Sequence, residues 1–157
     1  MMLISDVAGS VRDAADESIC EVFSLMTGVP LTLETVQSGD DGIVSCLSQD
    51  RALIVLLAIT GEIQGFLSLS LHTQAAIDWT HALIEHVADD IDQIVVDAVG
   101  ELGNMFVGGL KRRLSAYDLK MSLPTVIRAC DVCLVARRNA FPAAPDCRYS
   151  SPVFPVL

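Results

Sequence analysis

Residues 52–71 constrain the fold more tightly than any other part of this chain. Residues 52–60 are almost continuously apolar, whereas residues 63–71 alternate, with Ile63, Gly65, Leu67, Leu69 and Leu71 on one face. Gln64, Ser68 and Ser70 then point the other way, the pattern of a strand packed on one side. Gly61-Glu62 supplies a turn, so the two segments predict a β-hairpin. Further extended segments are expected at residues 31–36, 43–47 and 132–136, with 38–42 as a loop.

Helical periodicity occupies separate blocks. Ile19, Val22, Phe23 and Met26 recur at helical spacing within residues 6–27, and Gly28-Val29-Pro30 ends that helix. Thr73 is expected to cap a second helix reaching about Val87, and Asp89-Asp90 separates it from a third over residues 91–114. From Phe141 onward, Pro142, Pro145, Pro152 and Pro155 rule out a continuous sheet interior and leave an edge strand or an irregular covering segment. Blocks of helix and strand without a βαβ rhythm predict an α+β fold, an antiparallel sheet packed by long helices. The 157 residues suit one domain over 1–157, with an irregular Pro-rich tail from about residue 141.

Apolar residues make up 52% of the chain and aromatics only 5%, so the core is built mostly from aliphatic side chains. The formal net charge of −10 repels nucleic acid and anionic membrane surfaces alike. The most apolar run, residues 52–59, is far shorter than the ~20 residues of a membrane helix. The acidic first residues do not resemble a secretory signal, and five cysteines without one predict reduced thiols in the cytoplasm.

The third helix carries the chemistry. At about 100° per residue, Asp97, Glu101, Asn104 and Gly108 fall within about 60° of one another. Val95, Val99, Leu102, Phe106, Leu110 and Leu114 lie mainly opposite, and Lys111 and Arg112 continue near the polar edge. Polar residues on the outer face of a helix are ordinarily just solvated. Glycine argues for more: Gly100, Gly103, Gly108 and Gly109 each cost roughly 1 kcal/mol relative to Ala, which points to close approach of another surface.

Asp97-Ala-Val-Gly-Glu101-Leu-Gly-Asn104-Met-Phe-Val-Gly108, followed by Ser122-Leu123-Pro124-Thr125-Val126, resembles the signature of the CheC/CheX/FliY chemotaxis phosphatases. The hairpin around Gly61-Glu62 resembles CheX as well. The spacing from Asn104 to Pro124 is slightly shorter than the family pattern, and the chain end lacks a clear final alternating strand. The resemblance implies a pseudo-twofold αβ repeat and a phosphatase that hydrolyses the aspartyl phosphate of a CheY-like response regulator. By that analogy Asn104 positions the attacking water, since a carboxamide both accepts and donates without charge. Glu101 docks against the regulator's lysine. Asp97, Gly100, Gly108, Lys111 and Pro124 support the interface. Mg²⁺ then comes with the regulator, and no metal or cofactor is bound by this chain. Relatives of the CheX type form homodimers, which is expected here too. Two alternatives follow from the same resemblance: a non-catalytic module binding a regulator or flagellar switch, or a CheC-like partner of a receptor deamidase.

Glu17, Glu21, Ser24 and Gly28 reproduce the spacing of Asp97, Glu101, Asn104 and Gly108 on the first helix, a match that chance or duplication explains about equally. Two-site relatives carry Asn on each such helix. Ser24 lacks the amide's paired donor and acceptor, so a single site is expected. Other features point nowhere specific. Cys130 and Cys133 form one pair with zinc spacing but have no second pair. His72, His81 and His86 are not at metal-binding helical spacing, Ser115 has no hydrolase elbow, and Trp79 reads as core.

Overall fold

The computed structural model describes residues 4–37, 52–62, 64–129 and 146–150. The expected strands at 43–47 and 132–136, and the Cys130/Cys133 pair, lie outside the described residues. The elements run α1 (Ile4–Thr27), β1 (Thr32–Gln37), β2 (Ala52–Gly61), β3 (Gly65–His72), α2 (Thr73–Ile84), α3 (Gln93–Arg113), β4 (Leu119–Met121), β5 (Thr125–Ala129) and β6 (Asp146–Ser150). Helix and antiparallel sheet are segregated, as the sequence pattern predicts.

The apolar segment β2 is the centre of the main sheet. It pairs antiparallel with β3 along its length, from Ala52↔His72 to Ile59↔Gly65. Its other edge is shared by two short strands: β4 against Ile59 to Gly61, and β5 against Ala52 to Leu56. Central position explains its composition, since Leu53, Ile54, Val55, Leu57 and Ile59 are all buried. At the hairpin end Gly61 has φ 122°, and a β-carbon there would collide with the Asp118 carbonyl. Glu62 closes the corner, its N–H donating to Asp118 O at 3.1 Å and its Oε1 accepting from Asp118 N at 3.0 Å.

Between β4 and β5 the ladder is interrupted at Ser122-Leu123-Pro124, opposite Leu57 and Ala58. Proline cannot donate there, so Ser122 makes the bonds that the strand does not. Its N–H donates to Ala58 O and its Oγ accepts from Ala58 N, both at 3.0 Å. A second two-stranded sheet joins β1 to β6, from Thr32↔Ser150 to Gln37↔Asp146. The tail therefore contains a strand between Pro145 and Pro152, where the sequence showed no alternating pattern; among the described residues β1 and β6 pair with each other alone, and such an edge tolerates flanking prolines.

The helices cover the sheet. Trp79 of α2 is fully buried, its ring centroid 4.8 Å from that of Phe23 on α1, and its Nε1 donates to Ala98 O on α3 at 3.0 Å. One residue thus ties the three helices together, and the expectation that Trp79 packs in the core holds. The second helix differs in its ends. His72, not Thr73, occupies the cap position and makes no side-chain cap bond, and the helix stops at Ile84 because Glu85 turns left-handed at φ 56°. Among the described residues no helix is long and apolar enough to cross a membrane.

Candidate active site

Helix α3 is held at both ends. Asp92 caps it, Oδ1 accepting from Val95 N at 2.9 Å, while His86 Nε2 lies 2.8 Å from Asp92 Oδ2. These bonds, that from Val95 foremost, hold the Asp92 carboxyl below its usual range. Lys111, Arg112 and Arg113 occupy the last turn, where cations complement the helix dipole. Val95, Val99, Leu102, Phe106 and Leu110 are buried beneath it.

Opposite that stripe Asp97, Glu101, Asn104, Gly108 and Lys111 are all exposed, forming one ridge about 21 Å long at 1.5 Å per residue. Asn104 Nδ2 approaches Glu101 Oε1 at 3.4 Å, too long to bind either side chain firmly. Both groups therefore face outward together with hydrogen-bonding capacity to spare. Asp97 is more occupied, its Oδ1 accepting from Gln93 Nε2 at 2.8 Å.

The helix glycines divide by what surrounds them. A β-carbon on Gly103 would lie 2.8 Å from Val55 Cγ1 and 3.1 Å from Pro124 Cβ, so Gly103 sets how low the helix rides over β2 and the strand break. Gly109 does the same toward α1, where a β-carbon would meet Ser18 Oγ at 2.9 Å. A β-carbon on Gly100 would be in ordinary contact, 3.7 Å from Val126 Cγ2, and half-buried Pro124 is packed behind the ridge. At Gly108 alone of these four nothing lies within 4 Å. The sequence pattern points to close approach of another surface; at Gly103 and Gly109 that surface is the protein's own. Gly108→Ala should accordingly raise stability by about 0.5–1 kcal/mol, read in chemical denaturation, because it removes only a helix penalty.

The matching spacing on α1 has a different fate. Arg112 Nη2 sits 2.6 Å from Glu21 Oε2, Arg113 Nη2 2.7 Å from the same atom, and Arg113 Nε 3.0 Å from Glu17 Oε2. The Arg113 hydrogen bond, aided by the charge of Arg112, holds the Glu21 carboxyl below its ordinary range. Both acidic positions of that matching spacing are tied to α3. Sequence inspection missed this clamp, and also missed Asp92 as the cap, although an aspartate three residues before the apolar Val95 was a legible signal. Among the described residues no group of three His, Cys, Asp or Glu side chains could hold a metal.

A family model described as chemotaxis phosphatase CheX matches residues 53–140, which include nearly all of β2, all of α3 and β5. The chain belongs to the CheX family. The CheY-P phosphatase CheX of Thermotoga maritima is 28% identical to this CheX-family chain over 99 residues, covering 61% of the chain and 64% of that relative's length. A CheC-like superfamily protein from Shewanella sp. PV-4 superposes with a TM-score of 0.75 at 20% identity, over 99% of this chain and 95% of the other. CheX in a CheX–CheY–BeF3–Mg²⁺ complex from Borrelia burgdorferi gives 0.61 at 19% identity, over 94% and 91%. At these identities the two structures establish the CheC/CheX-like fold.

Proposed function

We propose that this CheX-family chain is a phosphatase acting on the aspartyl phosphate of a CheY-like response regulator, in chemotaxis or a related two-component pathway. The observation that carries the reading is the outward pairing of Glu101 and Asn104 on the ridge of α3. The family match and the names of the Thermotoga and Borrelia relatives support it. In hydrolysis a water oxygen attacks phosphorus, the bond to the acyl oxygen breaks, and the regulator's carboxylate leaves as inorganic phosphate is released. Such a transition state needs placement and charge compensation more than covalent help. Asn104 orients the water through its carbonyl while its NH₂ faces the phosphoryl oxygens. Glu101 pairs with a regulator lysine and fixes the docked pose. Asp97, Gly108 and Lys111 form the contact surface, Gly100 lies at its margin over Val126, and Pro124 supports the helix from behind. Mg²⁺ arrives as part of the regulator.

On this reading the whole chain works as one cytoplasmic domain, and docking at Gly108 brings another backbone close. Gly108→Ala, while more stable, should raise KM for the phosphorylated regulator. The decisive measurement is phosphate release from candidate regulators with and without the protein. Binding without faster release would identify a docking module instead.

The same reading takes the protein as a homodimer through β3. Among the described residues the outer edge of β3 has no partner strand, and its sequence contains neither proline nor lysine, the usual protections of an edge. Phe66 on that strand is 69% exposed. Phe66→Asp is expected to shift the protein from dimer to monomer in sedimentation equilibrium without loss of helical circular dichroism. A wild type that is monomeric at all concentrations would end this part of the reading.

A further inference from the structure

Two turns beyond Asn104 the ridge reaches Lys111, and there a cleft of about 410 Å³ opens between the end of α3 and β4. Lys111 and Lys120 line it, with Leu114, Tyr117, Leu119 and Met121 as its less polar walls. Surface lysines are usually only solvated, so the charge pattern around these two decides whether the cleft means more. Each arginine whose side chain is described has a carboxylate within 4 Å: Arg12 has Asp16, Arg112 has Glu21, Arg113 has Glu17 and Glu21, and Arg128 has Asp90. Lys111 and Lys120 are both exposed, and neither is paired with a carboxylate among the described residues. In a chain of net charge −10, two uncompensated cations facing one cleft make a local site for anions.

We infer that this cleft receives an acidic segment of the docked response regulator, its aspartate or glutamate carboxylates pairing with Lys111 and Lys120. The inference rests on the phosphatase reading and adds a second point of contact to it. A contact at Glu101 alone leaves the regulator free to pivot about one ion pair. A second contact further along the helix removes that freedom and adds to the affinity of the docked pose. The two contacts are opposite in sign, carboxylate at Glu101 and ammonium in the cleft, so a regulator turned end for end would meet like charges.

The test compares wild type with the double variants Lys111→Glu/Lys120→Glu and Lys111→Gln/Lys120→Gln. Each is assayed for phosphate release over a range of concentrations of a regulator phosphorylated with acetyl phosphate, at several salt concentrations. Charge reversal should raise KM about tenfold and leave kcat within about twofold, with unchanged melting temperature. The glutamine variant should show an intermediate KM, and the salt dependence of KM seen in wild type should flatten in both. Unaltered KM in both variants overturns the inference. So does a KM change confined to charge reversal, which would reflect introduced repulsion, or a loss confined to kcat. A wild type that accelerates no regulator's dephosphorylation defeats the functional reading itself, whereas an active wild type with indifferent lysines defeats the cleft alone.

Discussion

Asn104→Ala is expected to lower stimulated dephosphorylation at least about 100-fold, a loss of roughly 2.7 kcal/mol of transition-state stabilisation. The mechanism proposed for this CheX-family chain gives the orientation of water to one carboxamide, and alanine offers no replacement. The fold should not suffer. Asn104 is exposed, and its side chain makes only the long contact to Glu101 among the described residues. Alanine is also the better helix former, so melting temperature should hold or rise slightly. Single-turnover phosphate release, with circular dichroism as the control, measures both. Glu101→Ala should instead act mainly on KM, since that side chain docks. Undiminished release by the Asn104 variant would remove the mechanism, whatever the family.

Gly103→Val should destabilise the protein by about 3 kcal/mol. The first carbon of any side chain there would stand 2.8 Å from Val55 Cγ1, which belongs to a buried, β-branched residue with little room to rotate. The Pro124 ring, 3.1 Å away, is rigid. For a chain of this length that cost corresponds to a fall in melting temperature on the order of 10 °C. Gly108, further along the same helix, is the internal control, because substitution there meets only open space. A melting curve for Gly103→Val that overlays the wild type would show that α3 does not depend on this approach to β2.

The contrast between those two glycines marks what could be seen in advance. Periodicity in α3 separated a buried stripe from a polar ridge, and Val95, Val99, Leu102, Phe106 and Leu110 are buried as that pattern requires. A pattern along one helix carries no information about which neighbour lies against each glycine, so the four could not be sorted by role until β2, Pro124 and Ser18 were in place. The hairpin of β2 and β3 was legible because an unbroken apolar run, a glycine turn and then strict alternation suit a central strand followed by its half-covered neighbour. Strand β4 was not: three residues are too few to show a period, and its pairing depends on the corner at Gly61 and Asp118. Strand β6 was hidden by its flanking prolines, which exclude sheet interiors but not a two-stranded edge. Glu17 and Glu21 looked like a ridge matching that of α3 apart from Ser24, and the approach of Arg112 and Arg113 to both carboxylates was not visible in the sequence.

The bracing of α1 by those arginines bears on how such a protein could change its number of working faces. An amide introduced in place of Ser24 would be exposed and correctly spaced, yet it would stand beside a carboxylate already engaged by two guanidinium groups. Acquiring a second face would require freeing Glu21 as well, and freeing it removes two of the three ion pairs that join α1 to the helix presenting Asn104 among the described residues. Asymmetry between the halves is thus mechanically self-preserving: the half without the amide serves as the strut for the half that carries it.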